Sequence, residues 1–264
     1  HKEKVPEAEG WRVEPCILEG FAGGVPAAGF PRGEAAALQS RLAGRVVFED
    51  AFPDPLGTVA GVDVSVREVG GAAWAFACIA VMEWGTWKIL RVAGASRPVD
   101  FPYIPGLLSF RELPVILEAA RDLPEWPGLF LVDGAGRGHP RFFGIACHLG
   151  LATGRPAVGV AKSRLVGVHD PVPGERGSQV PLLLGNVRVG TVLRTRAGVR
   201  PLYVSPGHLV SVPSSAGLVM GACSRYRLPE PVRLAHRLAG EAGRLFSRRF
   251  SVENLIAVVD DTEA

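Results

Sequence analysis

The sequence predicts an α/β fold, a single domain built on a mixed sheet with helices on both faces. Three observations carry this: three extended segments joined by short turns, two short wholly apolar runs further along, and helical periodicity before, between and after them. Of the 264 residues 47% are apolar, enough for a sizeable core. Glycine (33) and proline (22) together exceed the usual share but stay below that of low-complexity sequence.

Residues 1–31 alternate Gly, Pro, Ala and Glu without periodicity and read as a flexible N-terminal extension. Ala37, Leu38, Leu42 and Val46 then recur at helical spacing within 33–47. Extended segments are expected at 58–66, 72–84 and 86–96, and Gly70-Gly71 and Gly85-Thr86 turn each into the next, as an antiparallel meander. A helix is expected over 109–122. Leu129-Phe-Leu-Val-Asp133 and Ala157-Val-Gly-Val-Ala161 have the pattern of buried parallel strands. Between them, Pro140 suits the first turn of a helix continuing over 141–151. More β structure falls within 180–205, and C-terminal helices follow. The longest, over 231–249, carries Arg233, Arg237, Arg244, Arg248 and Arg249 on its polar side. This element order is that of the ribonuclease H-like fold. The folded domain is placed at 32–250, with a tail over 251–264.

The net charge of +3 conceals an asymmetry. Residues 1–133 hold 12 basic and 18 acidic side chains, and residues 134–264 hold 17 and 8. Within 134–249 only Asp170, Glu175, Glu230 and Glu241 oppose 17 Lys and Arg, a local charge of +13. Codon usage accounts for 25 Arg against 4 Lys but not for the shortage of acids. Such a stretch is the footprint of a polyanion binder, nucleic acid first. No apolar run reaches ~18 residues, which excludes a transmembrane helix, and no signal peptide is visible. Cys16, Cys78, Cys147 and Cys223 stand far apart with no CxxC pair, so neither a zinc site nor a disulfide framework is expected. Three of them lie in apolar surroundings as core thiols, and the cytoplasm is the expected compartment.

The chemistry begins with three acids. Asp63 lies inside Val59-Ala-Gly-Val-Asp-Val-Ser-Val66, where a lone carboxylate would cost several kcal/mol if unpaired. Asp133 ends an apolar strand, where such sheets open onto ligand crevices. It is either a site residue or half of an Asp-Gly turn. Glu112 either reaches over these two or completes a capping box with Ser109. If the first and fourth strands are neighbours, Asp63 and Asp133 come side by side. Carboxylates packed together need a cation, and hard oxygen ligands favour Mg²⁺ or Mn²⁺ over zinc.

Lys162, one of the four lysines, follows the second apolar strand and is either a phosphate contact or a solvated side chain. His139 follows the Gly-rich Gly134-Ala-Gly-Arg-Gly138 at an expected helix N-terminus, an arrangement suited to an anion or to close backbone approach by a ligand. His236 lies on the last helix, either lining the site or at the surface, and His208 in Ser205-Pro-Gly-His208 is equally open. Phe101-Pro-Tyr-Ile-Pro-Gly106 is an aromatic segment stiffened by two prolines, either a packed loop or a wedge that enters a base stack. If the site takes in a flipped base, Gly106 and Gly134 let main chain come close to it.

Together these motifs resemble the endonuclease V family, the deoxyinosine 3′-endonucleases. The resemblance rests on Val62-Asp-Val-Ser65, Tyr103-Ile-Pro-Gly-Leu-Leu-Ser-Phe-Arg-Glu112 and Val132-Asp-Gly-Ala-Gly-Arg-Gly-His-Pro-Arg141. Gly159-Val-Ala-Lys-Ser-Arg-Leu-Val-Gly167, Ser205-Pro-Gly-His208 and Leu228-Pro-Glu-Pro-Val-Arg-Leu-Ala-His236 complete it. It implies that 32–250 is an endonuclease V-like catalytic domain. It also implies Mg²⁺-dependent cleavage, with Mn²⁺ as substitute, of the second phosphodiester bond 3′ to a deaminated adenine, leaving 3′-hydroxyl and 5′-phosphate ends. Asp63 and Asp133 would bind the metal directly, and Glu112 directly or through water. Tyr103, Ile104 and Pro105 would form the wedge that fills the gap left by a flipped hypoxanthine. Lys162 would lie near the scissile phosphate and His236 would face the site. The expected partner is inosine-containing DNA, with RNA left open, and neither a membrane nor an organic cofactor is expected of this monomer. Ala135, Cys147 and Val66 depart from the family pattern without removing a ligand. Two other readings share these residues: a non-cleaving inosine binder, and a less specific ribonuclease H-like nuclease acting on loops, flaps or mismatches.

Overall fold

The computed structural model describes residues 31–245, with side chains described to 243. The predicted extension, but for Pro31, and the predicted tail lie outside the described residues, as do Cys16, Arg248 and Arg249. One eight-stranded sheet organises the rest, in the order β3-β2-β1-β4-β5-β8-β7-β6. The elements in chain order are α1 (Arg32–Ala43), β1 (Thr58–Val69), β2 (Ala72–Glu83), β3 (Ile89–Pro98), α2 (Leu108–Ala120), β4 (Leu129–Val132), α3 (Ile145–Thr153) and β5 (Ala157–Ala161). There follow β6 (Gln179–Leu184), β7 (Val187–Leu193), β8 (Leu202–His208), α4 (Val212–Gly221) and α5 (Glu230–Leu245). This is the mixed sheet with helices on both faces that the element order predicts.

The meander pairs antiparallel, β1 with β2 and β2 with β3, while β1, β4 and β5 run parallel at the centre of the sheet. Alternation along β1 sorts its side chains between two layers. Ala60 and Val62 join Leu38, Phe110, Leu113 and Ile116 in the core beneath α1, α2 and α3. Val59, with Leu129 and Leu131, packs toward the opposite layer, where Val219 and Val232 belong to α4 and α5. The stripe Leu234, Ala235, Leu238 and Ala239 seats α5 on β2 and β3. Cys78, Cys147 and Cys223 are buried free thiols. Among the described residues no helix is long and apolar enough to cross a membrane.

Element boundaries differ from the sequence reading for local reasons. The helix expected at Pro140 begins at Ile145. Phe142 adopts φ 53°, a left-handed conformation that a helix cannot include. The preceding loop is tied to β8, with Gly136 N–H donating to Ser205 Oγ and Arg137 N–H to the Pro206 carbonyl. The third strand begins at Ile89 because Gly85 and Trp87, both at positive φ, complete the turn. Helix α4, one of the expected C-terminal helices, starts at Ser211-Val-Pro-Ser214: Ser211 Oγ accepts from Ser214 N–H, and proline occupies the first turn.

One close approach sets the position of α5. A Cβ on Gly61 would lie 2.0 Å from the carbonyl carbon and oxygen of Pro231. Gly61→Ala therefore must push α5 off β1 and is expected to cost roughly 2 kcal/mol or more in urea unfolding. Gly217→Ala, on α4 with nothing within 4 Å of the added carbon, is expected to be neutral or slightly stabilising.

Candidate active site

Parallel pairing places Val62 opposite Val132, and Asp133 N–H donates to the Val62 carbonyl at 2.9 Å. Asp63 and Asp133, each the next residue, therefore stand side by side. The alternation that turns Gly61 toward α5 turns Asp63 the same way, and His236 Nδ1 lies 2.5 Å from Asp63 Oδ2. Asp63 Oδ1 accepts from Val64 N–H at 2.8 Å. Lys162, one residue past β5, pairs its ammonium with Asp133 Oδ2 and lies 3.2 Å from His236 Nδ1. Glu112 comes from α2, in the other layer, and lines the same open cleft of about 510 Å³ with Asp63, Asp133, Lys162 and His236. The cap of α2 is Leu107 with no side-chain bond, and Ser109 lies inside the helix, so Glu112 forms no capping box.

The charges in this cleft act on one another. Burial first, then the neighbouring Asp63 and Asp133, push the Glu112 carboxyl up to about 8. Asp133 is also raised, by burial and then Asp63, against the pull of Lys162 and His236. His236 is raised chiefly by its hydrogen bond to Asp63, which burial and Lys162 oppose. Ligating atoms of Asp63, Asp133 and His236 lie within 4.8 Å of one another. An acid-rich cluster in which Asp63 raises both Asp133 and Glu112 has the oxygen donors that suit a hard cation.

The predicted aromatic segment forms the rim of a second, smaller cavity of about 80 Å³, and Leu108 lines both. Tyr103 is 66% exposed, with the Arg111 guanidinium 5.9 Å from its ring centre. Ile104, Pro105, Gly106 and His139 line the cavity. Two expectations need correction here. His139 opens no helix; it is buried, and its Nε2 bonds the Gly106 carbonyl at 3.0 Å. The close approaches of the Gly134–Gly138 loop are to its own chain: a Cβ on Gly134 would lie 2.5 Å from Ile145 Cγ2, and one on Gly136 2.2 Å from the Pro206 carbonyl oxygen. His208 is buried away from the cleft and accepts from Val47 N–H.

Sequence reasoning missed Arg227. Its guanidinium donates to the carbonyls of Lys162 (2.8 Å), Pro201 (2.9 Å) and Arg200 (2.8 Å), fixing the backbone that carries the Lys162 ammonium. It lies one residue before the Leu228–His236 motif, and no spacing distinguishes it from the other arginines.

The endonuclease V family model matches residues 40–237, a span that holds Asp63, Glu112, Asp133, Lys162 and His236. The chain belongs to the endonuclease V family. Endonuclease V of Azotobacter vinelandii is 52% identical over 211 residues, 80% of this chain and 94% of that protein. The crystal structure of endonuclease V from Streptomyces avermitilis is similar with a TM-score of 0.78 at 40% identity, covering 85% and 96% of the two chains. Endonuclease V of Ciona intestinalis, solved with a 24mer DNA containing an inosine followed by a ribo-adenosine, shares the fold at 24% identity, with a TM-score of 0.71 over 81% and 98%.

The Glu112 shift has a defined sign. Its folded pKa of about 8 exceeds the ordinary 4.5, so in metal-free endonuclease V the stability it contributes is full below 4.5 and is lost as pH rises through 8. If Glu112 ligates a metal it must shed that proton, so calorimetric Mg²⁺ titration in buffers of different ionisation enthalpy is then expected to record proton release approaching ~1 per site near pH 7 and vanishing above pH ~9. Glu112→Gln is expected to abolish that release.

Proposed function

We propose that this endonuclease V hydrolyses the second phosphodiester bond 3′ to hypoxanthine in nucleic acid, leaving 3′-hydroxyl and 5′-phosphate ends. The observation that carries the reading is the side-by-side pair Asp63 and Asp133, with Glu112, Lys162 and His236 in one cleft that adjoins the Tyr103–Gly106 rim. Asp63, Asp133 and Glu112 would hold Mg²⁺, with Mn²⁺ as a substitute. The ion would supply Lewis-acid polarisation of the scissile phosphate and a lowered pKa for bound water. The remaining work falls to the chain. The Lys162 ammonium balances charge that builds on a phosphate oxygen as water adds to phosphorus. His236, whose hydrogen bond to Asp63 favours the protonated form, is placed to give a proton to the 3′ oxygen as its bond to phosphorus breaks.

Recognition is assigned to the second cavity. Tyr103, with Ile104 and Pro105, enters the stack as a stiff wedge in place of the flipped base. Gly106, His139 and the Gly134-backed wall at Ile145 shape the space beside it. Leu108, shared by the two cavities, sets base pocket and scissile phosphate next to each other. The local +13 supplies a surface for the backbone, and the chain is proposed to act as a monomer. The proposed partner is inosine-containing DNA, with RNA left to the strand comparison that follows.

Matched DNA and RNA strands, with inosine or adenosine at one position, test this with Mg²⁺ and with chelator. A nick one nucleotide beyond inosine is expected only with metal, and an intact inosine strand would overturn the proposal. Asp133→Asn is expected to lower turnover roughly a hundredfold or more while binding persists, as when one group is lost from transition-state stabilisation. A non-cleaving binder has no turnover to lose, and equal cutting of inosine and adenosine strands would favour the less specific nuclease. Tyr103→Ala is expected to act mainly on KM, by roughly tenfold, the scale of one lost base–aromatic stack.

A further inference from the structure

Gln39 is fully buried on α1, remote in sequence from every motif of the cleft, yet it is bonded to the wedge through one intermediary. Its Oε1 accepts from Arg141 Nε at 2.6 Å, and its Nε2 donates to the Phe143 carbonyl at 3.3 Å, which sets the amide's orientation. Arg141 then donates to the Gly106 carbonyl at 2.5 Å. The same carbonyl faces His139 Nε2 at 3.0 Å, while His139 Nδ1 accepts from Arg141 N–H at 3.2 Å. That second bond selects the tautomer with its proton on Nε2, so His139 is also a donor to Gly106.

The carbonyl held in this way belongs to a tight turn. Leu107 N–H donates to the Ile104 carbonyl at 2.9 Å, Pro105 and Gly106 occupy the centre, and Gly106 has φ +80°. These are the features of a type II turn, in which a proline sets the first corner and glycine accepts the left-handed second. The turn alone fixes its own shape but not its height or tilt over the sheet. Those depend on what grips Gly106 from outside, and the grip runs through Arg141 to Gln39.

We infer that Gln39 is a positioning residue for base recognition: by orienting the Arg141 guanidinium it anchors the Gly106 carbonyl, and so sets where the Tyr103 wedge and the adjoining pocket wall stand. The inference rests on the proposed reading of Tyr103–Gly106 as the wedge beside a flipped base. Burying an amide here is costly unless both its ends are used, and both are. An apolar residue of equal size would fill the space and leave Arg141 free to turn.

Amide exchange of the intact protein and strand cleavage together test this. Gln39→Leu is expected to speed exchange within residues 103–107 about tenfold, the scale of one lost hydrogen bond to a charged group. Exchange in 58–66 and 129–133, which carry the acids, is expected to stay at the parental rate. Gln39→Glu keeps an acceptor for Arg141 and is expected to stay within about threefold of the parent. On inosine strands Gln39→Leu is expected to raise KM about tenfold while kcat holds, a split that a general loss of structure would not give. Parental exchange at 103–107, or equal acceleration in all three segments, would overturn the inference. Should Gln39→Leu fail to fold, Arg141→Lys, which keeps the charge but cannot reach both Gln39 and Gly106, carries the same comparison. If the parent cuts no inosine strand, the proposed function falls, and the exchange rates still decide whether Gln39 anchors the turn.

Discussion

Two carboxylates held side by side by strand pairing are the constraint on which the site depends. The parallel register of β1 and β4 puts Asp63 beside Asp133 whether or not their charges agree. The repulsion is visible in Asp133 and Glu112, both raised by burial and by their acidic neighbours. Lys162 and His236 offset part of it from β5 and α5. The group that results could hold a metal ion, and the backbone that places it is the parallel centre of the sheet.

The fold supplies the other groups from opposite layers. Helix α5 reaches the site only because Gly61 lets its first turn lie against β1, which brings His236 to Asp63. Glu112 arrives from α2 on the far layer. Arg227, in the loop before α5, grips the Lys162 carbonyl and so couples the loop leading into that helix to the end of β5. The smaller cavity is organised around hydrogen bonds to the backbone: its carbonyl at Gly106 is held by His139 and Arg141, and Gly144 in its lining is pressed against the chain itself.

Much of the fold was legible because its signals are local. The Gly70-Gly71 turn, the apolar runs at 129–133 and 157–161 and the stripe on α5 each declare an element without reference to the rest. The acids were legible for a similar reason: a carboxylate among valines, as at Asp63, conflicts with its surroundings and asks for a partner. Where the reading failed, a non-local tie had overruled a local preference. Pro140 favours a helix start, but the loop's bonds to Ser205 and Pro206 and the left-handed Phe142 delay the helix to Ile145. In the loop 134–138, Gly134 makes room for Ile145, and Gly136 and Gly138 make room for β8.

Residue types alone thus name the family: three acids, a lysine and a histidine stand in its order, beside a strongly basic stretch of chain. Residue type and short spacing suffice for that. Only the tertiary structure decided which of these groups touch, because the contacts span distances that no local pattern encodes: 173 residues from Asp63 to His236, 102 from Gln39 to Arg141 and 65 from Lys162 to Arg227. Gln39 and Arg227 carry no sequence signal of their own. Each works through a backbone or a guanidinium that only packing brings within a hydrogen bond's reach.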